Sequence, residues 1–170
     1  MNRPESNEFD PYYNTYVSLI NEEDVLPVLR DQPEHLKRLF EHVPEEKGTY
    51  AYEAGKWSVK EVLSHLIDGE RIFSYRVLRI SRGDETPIEG FEQDGYIENS
   101  NANGRCFADL IAEFSLQRKA NMLLLENLSD EASRRMGTAS EKPISVRALA
   151  YIMAGHVAHH MNILTARYLA

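Results

Sequence analysis

Two histidines stand inside an apolar stripe near the carboxyl-terminal end of this chain, and they restrict how that segment can pack. The residues of this stripe have the spacing of one face of a helix, and the apolar ones include Leu149, Ile152, Met153, Ile163 and Leu164. His156 and His160 fall within it, about 40° apart around the helix axis and about 6 Å apart along it. Because burying an imidazole without partners is costly, groups on another element or a bound ion must satisfy the two rings. The segment therefore predicts a helix with a polar spot in its buried face.

Four segments of the chain have the periodicity of amphipathic helices, and none shows convincing strand alternation. Helices are predicted over residues 24–42, 58–81 and 107–127, and from Ser145 to the C-terminus. At the start of the second helix, Ser58 and Glu61 form an S-x-x-E capping box, in which each side chain satisfies a backbone donor of the other residue. The pattern predicts an all-α fold, a four-helix bundle.

The length of the chain suits one domain, since 170 residues, of which 42% are hydrophobic, can bury a sizeable core. No repeat or Pro/Gly-rich linker divides the chain, so residues 1–170 are predicted to form a single domain. Residues 1–22 are expected to pack on the bundle as an N-terminal extension. Their Tyr-rich stretch, residues 11–16, either caps the core or lines an interface.

The connection between the second and third helices, from Asp84 to Gly104, is about 20 residues long. Antiparallel neighbours in a bundle usually need only short loops, so this length allows a crossover that leaves the second and third helices parallel. The predicted topology is up-down-down-up. Residues 84–98 are acidic, and two interpretations of them stay open: a solvated loop, or a rim or lid over a site.

The charge balance narrows the range of partners. The formal net charge is −8 and no face is obviously basic, so binding of nucleic acid has no electrostatic support. An acidic surface also disfavours anionic lipid, and no apolar run approaches the ~20 residues that span a bilayer. The first residues do not resemble a signal peptide, and a cytoplasmic location is expected. The single cysteine, Cys106, is expected to be a buried or half-buried small residue.

A third histidine, His65, lies on the second helix at the margin of its apolar stripe. Gly69, one turn further on, removes bulk beside it. The depth of His65, about 10 Å from the start of its helix, matches that of His160 if the second and fourth helices are antiparallel. Three neutral imidazoles at about 2.0–2.1 Å would hold a divalent metal ion and leave a position open for water or substrate. From spacing alone, core histidines bonded to carbonyl or carboxylate groups explain the pattern equally well.

The motifs of several enzyme classes are missing. Position 157 is Val, so the histidine pair is not part of an H-E-x-x-H zinc-protease motif. The sequence contains no G-x-S-x-G nucleophile elbow, no P-loop and no dinucleotide-binding fingerprint.

Two segments carry a resemblance to a known family. Residues 55–71, GKWSVKEVLSHLIDGER, and residues 155–164, GHVAHHMNIL, resemble the second-helix and fourth-helix signatures of the DinB-like superfamily, which includes the YfiT and bacillithiol-transferase proteins. The resemblance implies an up-down-down-up bundle that binds a divalent ion, with zinc and nickel as the leading candidates. The implied ligands are His65, His156 and His160. The resemblance also implies a homodimer, since many members are dimers.

The same resemblance implies a metal-dependent enzyme with a small-molecule substrate. The enzyme would be either a thiol S-transferase that uses a low-molecular-weight thiol or a small-molecule hydrolase. The alternatives are a non-catalytic, stress-associated metal-binding dimer and a bundle whose metal site is vestigial. His159 matches a recurrent histidine of the family that is not a ligand.

Asp68 is the candidate catalytic residue. It lies three residues after His65 and could orient a ligand imidazole, bind substrate or act as a base. A charge pair with Arg71 or Arg76 explains it equally well. Arg76 and Arg167 could bind a carboxylate-bearing thiol, although surface pairing is the simpler interpretation.

Overall fold

The computed structural model describes residues 1–169, and four of its helices are long enough to form a bundle. In chain order the helices are α1 (Asn14–Val17), α2 (Val25–Phe40), α3 (Val59–Ser81), α4 (Gln93–Glu98), α5 (Phe107–Leu125), α6 (Asp130–Arg134) and α7 (Val146–Ile163). Residues 1–169 also form two short strands, three 3₁₀ turns and a π-helical turn: β1 (Met136–Ala139), β2 (Lys142–Ser145), Pro11–Tyr13, Glu45–Thr49, Ala102–Gly104 and Leu164–Tyr168. Helices α2, α3, α5 and α7 form the bundle, which confirms the predicted fold class.

Local hydrogen bonds determine where the bundle helices begin. The Ser58 hydroxyl accepts from the N–H of Glu61, and the Glu61 carboxylate accepts from the N–H of Ser58 at 2.7 Å, so the predicted capping box is present at the start of α3. Ser145 caps α7 by accepting from the N–H of Ala148 at 3.0 Å. The first three predicted helices are longer than the observed ones by one to three residues, the usual uncertainty at frayed helix ends.

The direction of each helix follows from the contacts at its ends. Helices α3 and α5 are parallel, because Asn103, just before α5, donates to Glu61 in the first turn of α3 at 3.0 Å. Helices α3 and α7 are antiparallel, because the Tyr168 hydroxyl, beyond α7, donates to the carbonyl oxygen of Trp57, just before α3, at 2.7 Å. Helix α2 is antiparallel to α5, because an arginine in the first half of α2 forms an ion pair with the glutamate just after the end of α5. The topology is therefore up-down-down-up, as predicted, with the crossover between α3 and α5.

The two strands form an antiparallel hairpin that the sequence did not predict. Each strand has only four residues, and the turn between them, Ser140 and Glu141, has positive φ angles of 52° and 64°. Asn and Gly are the usual residues at such positions, so the turn carried no recognisable signal. The expectation that the chain lacks strands is wrong for these eight residues.

The acidic connection before α5 is attached to the bundle at two apolar points. Ile88 is buried and bridges to the hairpin, its N–H donating to Thr138 O at 2.9 Å. Ile97 on α4 is also buried. The acidic side chains between these anchors are exposed, so the segment forms a rim along α3.

The N-terminal residues contact the bundle at the start of α7. Phe9, Val17 and Ile20 are buried in the same core cluster as the apolar face of α7. The Glu8 carboxylate accepts hydrogen bonds from Arg147 and from the Ser145 hydroxyl. These contacts bring α1 onto the outer side of α7.

A further expectation concerns the exposure of the single cysteine. Cys106, expected to be buried or half-buried, is exposed at the N-cap of α5, because the apolar face of that helix begins only at the next residue, Phe107. Within residues 1–169, no helix combines the length and the apolar character needed to cross a membrane.

A buried ionic network joins the four bundle helices. Arg118 on α5 is fully buried and donates two hydrogen bonds to the Glu70 carboxylate on α3, each at 2.8 Å. It also donates to Gln32 Oε1 at 2.8 Å and to Leu29 O at 3.0 Å, both on α2. Gln32 Nε2 donates in turn to the carbonyl oxygen of Ala154 on α7 at 2.7 Å. Because every helix of the bundle contributes a group, the network defines their relative register.

Replacing Arg118 by Met should lower the free energy of unfolding by about 3–5 kcal/mol, because Glu70 would keep a buried charge with no cation opposite. Urea denaturation measures this change. The control is Arg30→Met, which removes an exposed pair between Arg30 and Glu126 that is worth about 0–1 kcal/mol. Replacing Arg118 and Glu70 together by Met should recover part of the loss. Similar losses in the Arg118 and Arg30 variants would contradict the role assigned to the network.

Candidate metal centre

Three histidines on two antiparallel helices meet in the bundle core, near the start of α3 and the end of α7. His65 projects from α3, and His156 and His160 project from successive turns of α7. Their ligand nitrogens all lie within 4.8 Å of one another, and the Nε2 atoms of His65 and His156 are 2.8 Å apart. The three ring centroids are separated by 4.7–4.8 Å. The structure thus brings together the three residues that the sequence suggested as ligands, and this triad could hold one metal ion.

Small residues make room for the rings. A Cβ atom added to Gly69 would lie 2.9 Å from Cε1 of His156, so the glycine admits the His156 ring between α3 and α7. From sequence, Gly69 was expected to relieve crowding beside His65; it does so for the facing histidine instead. At Gly155 an added Cβ would collide with the backbone carbonyl of Tyr16, so this glycine lets α1 approach α7 closely.

Aromatic rings surround the triad on the remaining sides. Trp57 packs against His65 with a centroid separation of 4.8 Å. The Tyr16 ring stands edge-on to both His156 and His159, each at 5.5 Å. These contacts hold the imidazoles in place and keep solvent from most of the cluster. Tyr16 therefore contributes a wall to the site, which sequence reasoning missed because its stretch is far from the histidines along the chain.

The electrostatic environment favours neutral imidazoles. Burial lowers the pKa of His65 to about 4, and the pKa of His160 to about 3, because a charged ring would lose its hydration. The pKa of His156 is lowered well below its ordinary value, first by burial and then by the charges of its histidine neighbours and of Arg118. At neutral pH all three rings are therefore uncharged, which is the protonation state that metal ligation requires.

The triad opens to the surface on one side, through His160. His160 lines a cavity of about 320 Å³ at the end of the bundle. Two charged groups, Lys56 and Asp94, stand at the rim of this cavity, and most of the other residues that line it are aromatic or apolar: Tyr52, Gly55, Trp57, Val62, Ile163 and Tyr168. Asp94 comes from α4, so the acidic connection forms part of the rim of this cavity.

Asp68 does not join the histidine triad. It lines a different cavity, of about 710 Å³, together with Ser64 of α3 and residues of α4 and α5. Its closest cation is Arg71, at 3.8 Å, and burial raises the pKa of its carboxyl group. Glu113 also lines this cavity and binds both Arg71 and Arg105. The structure therefore places the candidate catalytic carboxylate in a polar groove beside the triad and outside the cavity that His160 lines.

The remaining histidines lie outside the triad. His159 is half-buried and packs its ring against Tyr16 and His160, and it contributes no nitrogen to the cluster. His35 and His42 are exposed, one on α2 and the other just beyond its end.

Sequence reasoning also missed the ionic network that supports the triad. Gln32, Glu70 and Arg118 each occupy a position where the apolar repeat of their helix calls for a hydrophobic residue. That interruption is the signal that could have revealed them, since polar residues inside a core stripe require partners. Without a fold, however, nothing indicated that the three residues face one another.

Comparison with known proteins assigns the chain to a family and relates its fold to a solved structure. A family model described as the DinB superfamily matches residues 29–164. The structure is similar to that of YfiT from Bacillus subtilis, with a TM-score of 0.77 and 19% sequence identity over 89% of this chain and 94% of that one. YfiT is described as a probable metal-dependent hydrolase with an unusual four-helix bundle topology. No curated protein matches the sequence.

Stability of the metal-free protein should fall as the pH decreases below about 6.5. The unfolded chain protonates its histidines near pH 6.5, whereas the folded triad resists protonation until about pH 4 or lower, so the unfolded state binds more protons in between. Each such histidine contributes a slope of about 1.4 kcal/mol per pH unit. Urea denaturation in the presence of a chelator, at about pH 7, 6 and 5, measures the effect.

The control separates the triad from other titrating groups. His160→Gln should give a shallower dependence of stability on pH, whereas His35→Gln, at an exposed position, should leave the dependence as in the parent protein. An unchanged slope in the His160 variant would show that the triad is not kept neutral by the fold.

Proposed function

Because the chain belongs to the DinB superfamily, we propose that it is a metal-dependent enzyme that binds one divalent ion through His65, His156 and His160 and acts on a small molecule. The observation that carries the proposal is the convergence of three neutral imidazoles, two buried and one half-buried, beside an open cavity. A structural role alone would not require three rings that face one another, since core histidines are normally satisfied by carbonyl or carboxylate groups.

The donor set fits a divalent ion. Three imidazole nitrogens suit ions of borderline softness, among which zinc and nickel are our leading candidates. Gly69 provides the space that His156 needs to turn toward a shared point with His65. A bound ion would supply Lewis-acid catalysis, which activates a water molecule or a thiol as the nucleophile near neutral pH.

Hydrolysis of a small molecule is the function that the site supports best. The cavity at His160 is large enough for a compact substrate, and its aromatic wall, formed by Tyr52, Trp57 and Tyr168, would hold an apolar group. Lys56 at the rim could bind an anionic group of the substrate. Similarity to YfiT, a probable metal-dependent hydrolase, supports the same reaction class.

Within this proposal, Asp94 is better placed than Asp68 to transfer protons. Asp94 lines the cavity that His160 also lines, whereas Asp68 lines the separate cavity of about 710 Å³. A general base must reach the proton that it removes, directly or through one water molecule. Asp68 would then help to bind a polar part of the substrate or maintain the Arg71 and Glu113 ion pairs.

Transfer of a low-molecular-weight thiol is the second candidate. Borderline ions held by nitrogen ligands also bind thiolates, the reactive form of a thiol. The chain's own cysteine, Cys106, does not line the cavity at His160, so the thiol would have to be a substrate. Homodimerisation and a cytoplasmic location remain predictions from the family resemblance and the composition.

Metal binding should depend on the three imidazoles and on the space beside them. The parent protein should bind one equivalent of Zn²⁺, and His160→Gln should lose most of this binding. Gly69→Ala should weaken binding by about tenfold or more, because the new Cβ would displace the His156 ring. Gly95→Ala is the matched control, since its Cβ would meet no atom within 4 Å. Competition against a chromophoric chelator measures the affinities; an absence of stoichiometric metal in the parent protein would refute the proposal.

Activity assays separate hydrolysis, thiol transfer and a non-catalytic role. With bound Zn²⁺ or Ni²⁺, hydrolysis of 4-nitrophenyl acetate is expected, and Asp94→Asn should lower kcat by about 100-fold or more if Asp94 is the general base. Asp68→Asn should retain most of kcat. Turnover only with cysteine and an aryl halide would favour thiol transfer. Stoichiometric metal without turnover in either assay would favour the non-catalytic, stress-associated alternative.

A further inference from the structure

Arg76 on α3 is a buried cation that forms no ion pair with a carboxylate in the described part of the chain. Its side chain is 2% exposed and lines a cavity of about 370 Å³ between α3 and the acidic connection. We propose that this cavity is a second ligand site, distinct from the histidine triad, and that it binds the carboxylate of a small molecule with an aromatic or apolar body. From sequence, Arg76 could either bind a carboxylate-bearing thiol or pair at the surface, with surface pairing the simpler interpretation; its burial without an ion pair excludes surface pairing.

Only some of the hydrogen-bond donors of the Arg76 guanidinium have an acceptor. Its Nη2 donates to Glu89 O at 3.2 Å and to Ser140 Oγ at 2.9 Å, both uncharged acceptors. Its Nε is buried and has no hydrogen-bond partner within residues 1–169. A buried charge is normally paired, because desolvation of an unpaired ion is expensive. By contrast, Arg79, which lines the same cavity one turn further on, is paired with Asp84 at 2.6 Å.

The backbone around Arg76 is shaped to hold this arrangement. Ser140, which accepts from Arg76, has a φ of 52°, a conformation that residues other than glycine and asparagine rarely adopt. An added Cβ at Gly90 would lie 3.4 Å from Ser140 Oγ, so the acidic connection passes within ordinary contact distance of the hairpin turn. Arg76 therefore contacts two elements, the hairpin turn through Ser140 Oγ and the acidic connection through Glu89 O.

The walls of the cavity indicate the class of ligand. Ile72 and Tyr75 of α3 form one wall, and Phe91 and Tyr96 of the acidic connection form the other, with their rings 5.5 Å apart. Tyr75 and Tyr96 are both about half exposed, so a ligand would cover apolar surface that now faces water. A guanidinium at one end and aromatic side walls suit a flat, apolar molecule that carries one carboxylate.

The proposed site does not depend on the metal. Arg76 follows His65 by eleven residues, which is about 16 Å along α3. Its cavity contains none of the three histidines. A carboxylate ligand should therefore bind equally well to the metal-free protein, and failure of the metal proposal would leave this one standing.

Benzoate is a suitable probe, and benzamide is its neutral control. Isothermal titration or chemical-shift titration of the chelator-treated protein should give saturable binding of benzoate with a dissociation constant of about 1 mM, in keeping with so small a ligand. Benzamide and inorganic phosphate should bind at least about tenfold more weakly. Equal binding of benzoate and benzamide, no saturable binding, or a preference for phosphate would each overturn the proposal.

Variants assign the binding to Arg76. Arg76→Met should abolish benzoate binding, whereas Arg82→Met, at the exposed residue just after the end of α3, should leave it unchanged. Because Arg76→Met could loosen the acidic connection, a second variant leaves the cation in place. Glu89→Gln removes an exposed negative charge that lines the cavity and should tighten benzoate binding severalfold. Benzoate affinity that is unaltered in both Arg76→Met and Glu89→Gln would contradict the assignment.

Discussion

The pairing of Arg118 with Glu70 is the interaction on which the rest of this bundle depends. Both groups are withdrawn from water, and their charges are tolerable only because each finds the other with bidentate geometry. The network continues through Gln32 to the carbonyl of Ala154, two residues before His156. A shift of α3 or α5 by one turn would leave an ion unpaired in the core, and a shift of α2 or α7 would break buried hydrogen bonds of Gln32, so apolar contacts alone need not define the register. The depth at which His156 faces His65 follows from this register.

Helix α3 contributes residues to two chemically different sites. Near its start, His65 faces α7 across a gap that Gly69 keeps open. Three turns later, Arg76 faces the hairpin and the acidic connection, where the bundle is covered by non-helical backbone. The parallel course of α3 and α5 requires a long crossover, and that crossover supplies α4 and the rims of the cavities. The topology thus provides walls that a bundle with short loops would lack.

Residues whose roles follow from positions on one helix were predictable from sequence. The capping box of Ser58 and Glu61 and the convergence of His156 and His160 depend on spacings of three and four residues, and helical geometry converts these spacings directly into neighbours. The up-down-down-up order was allowed by the length of one connection and implied by the family resemblance. The hairpin was not predictable, because the residues at its positive-φ turn, Ser140 and Glu141, are not those that such turns favour.

Contacts between elements that are distant along the chain account for the rest. The angular position of Asp68 relative to His65 suggested a carboxylate beside the ligands, yet the cavity that His160 lines is completed by α4, whose placement depends on the crossover and not on α3. A spacing along one helix predicts only the direction in which a side chain projects, whereas a cavity also requires a surface from another element. The same reasoning explains Tyr16, which reaches His156 only because Gly155 lets α1 lie against α7. The side chains that complete a site in a bundle therefore come from the connections, where periodicity carries no information.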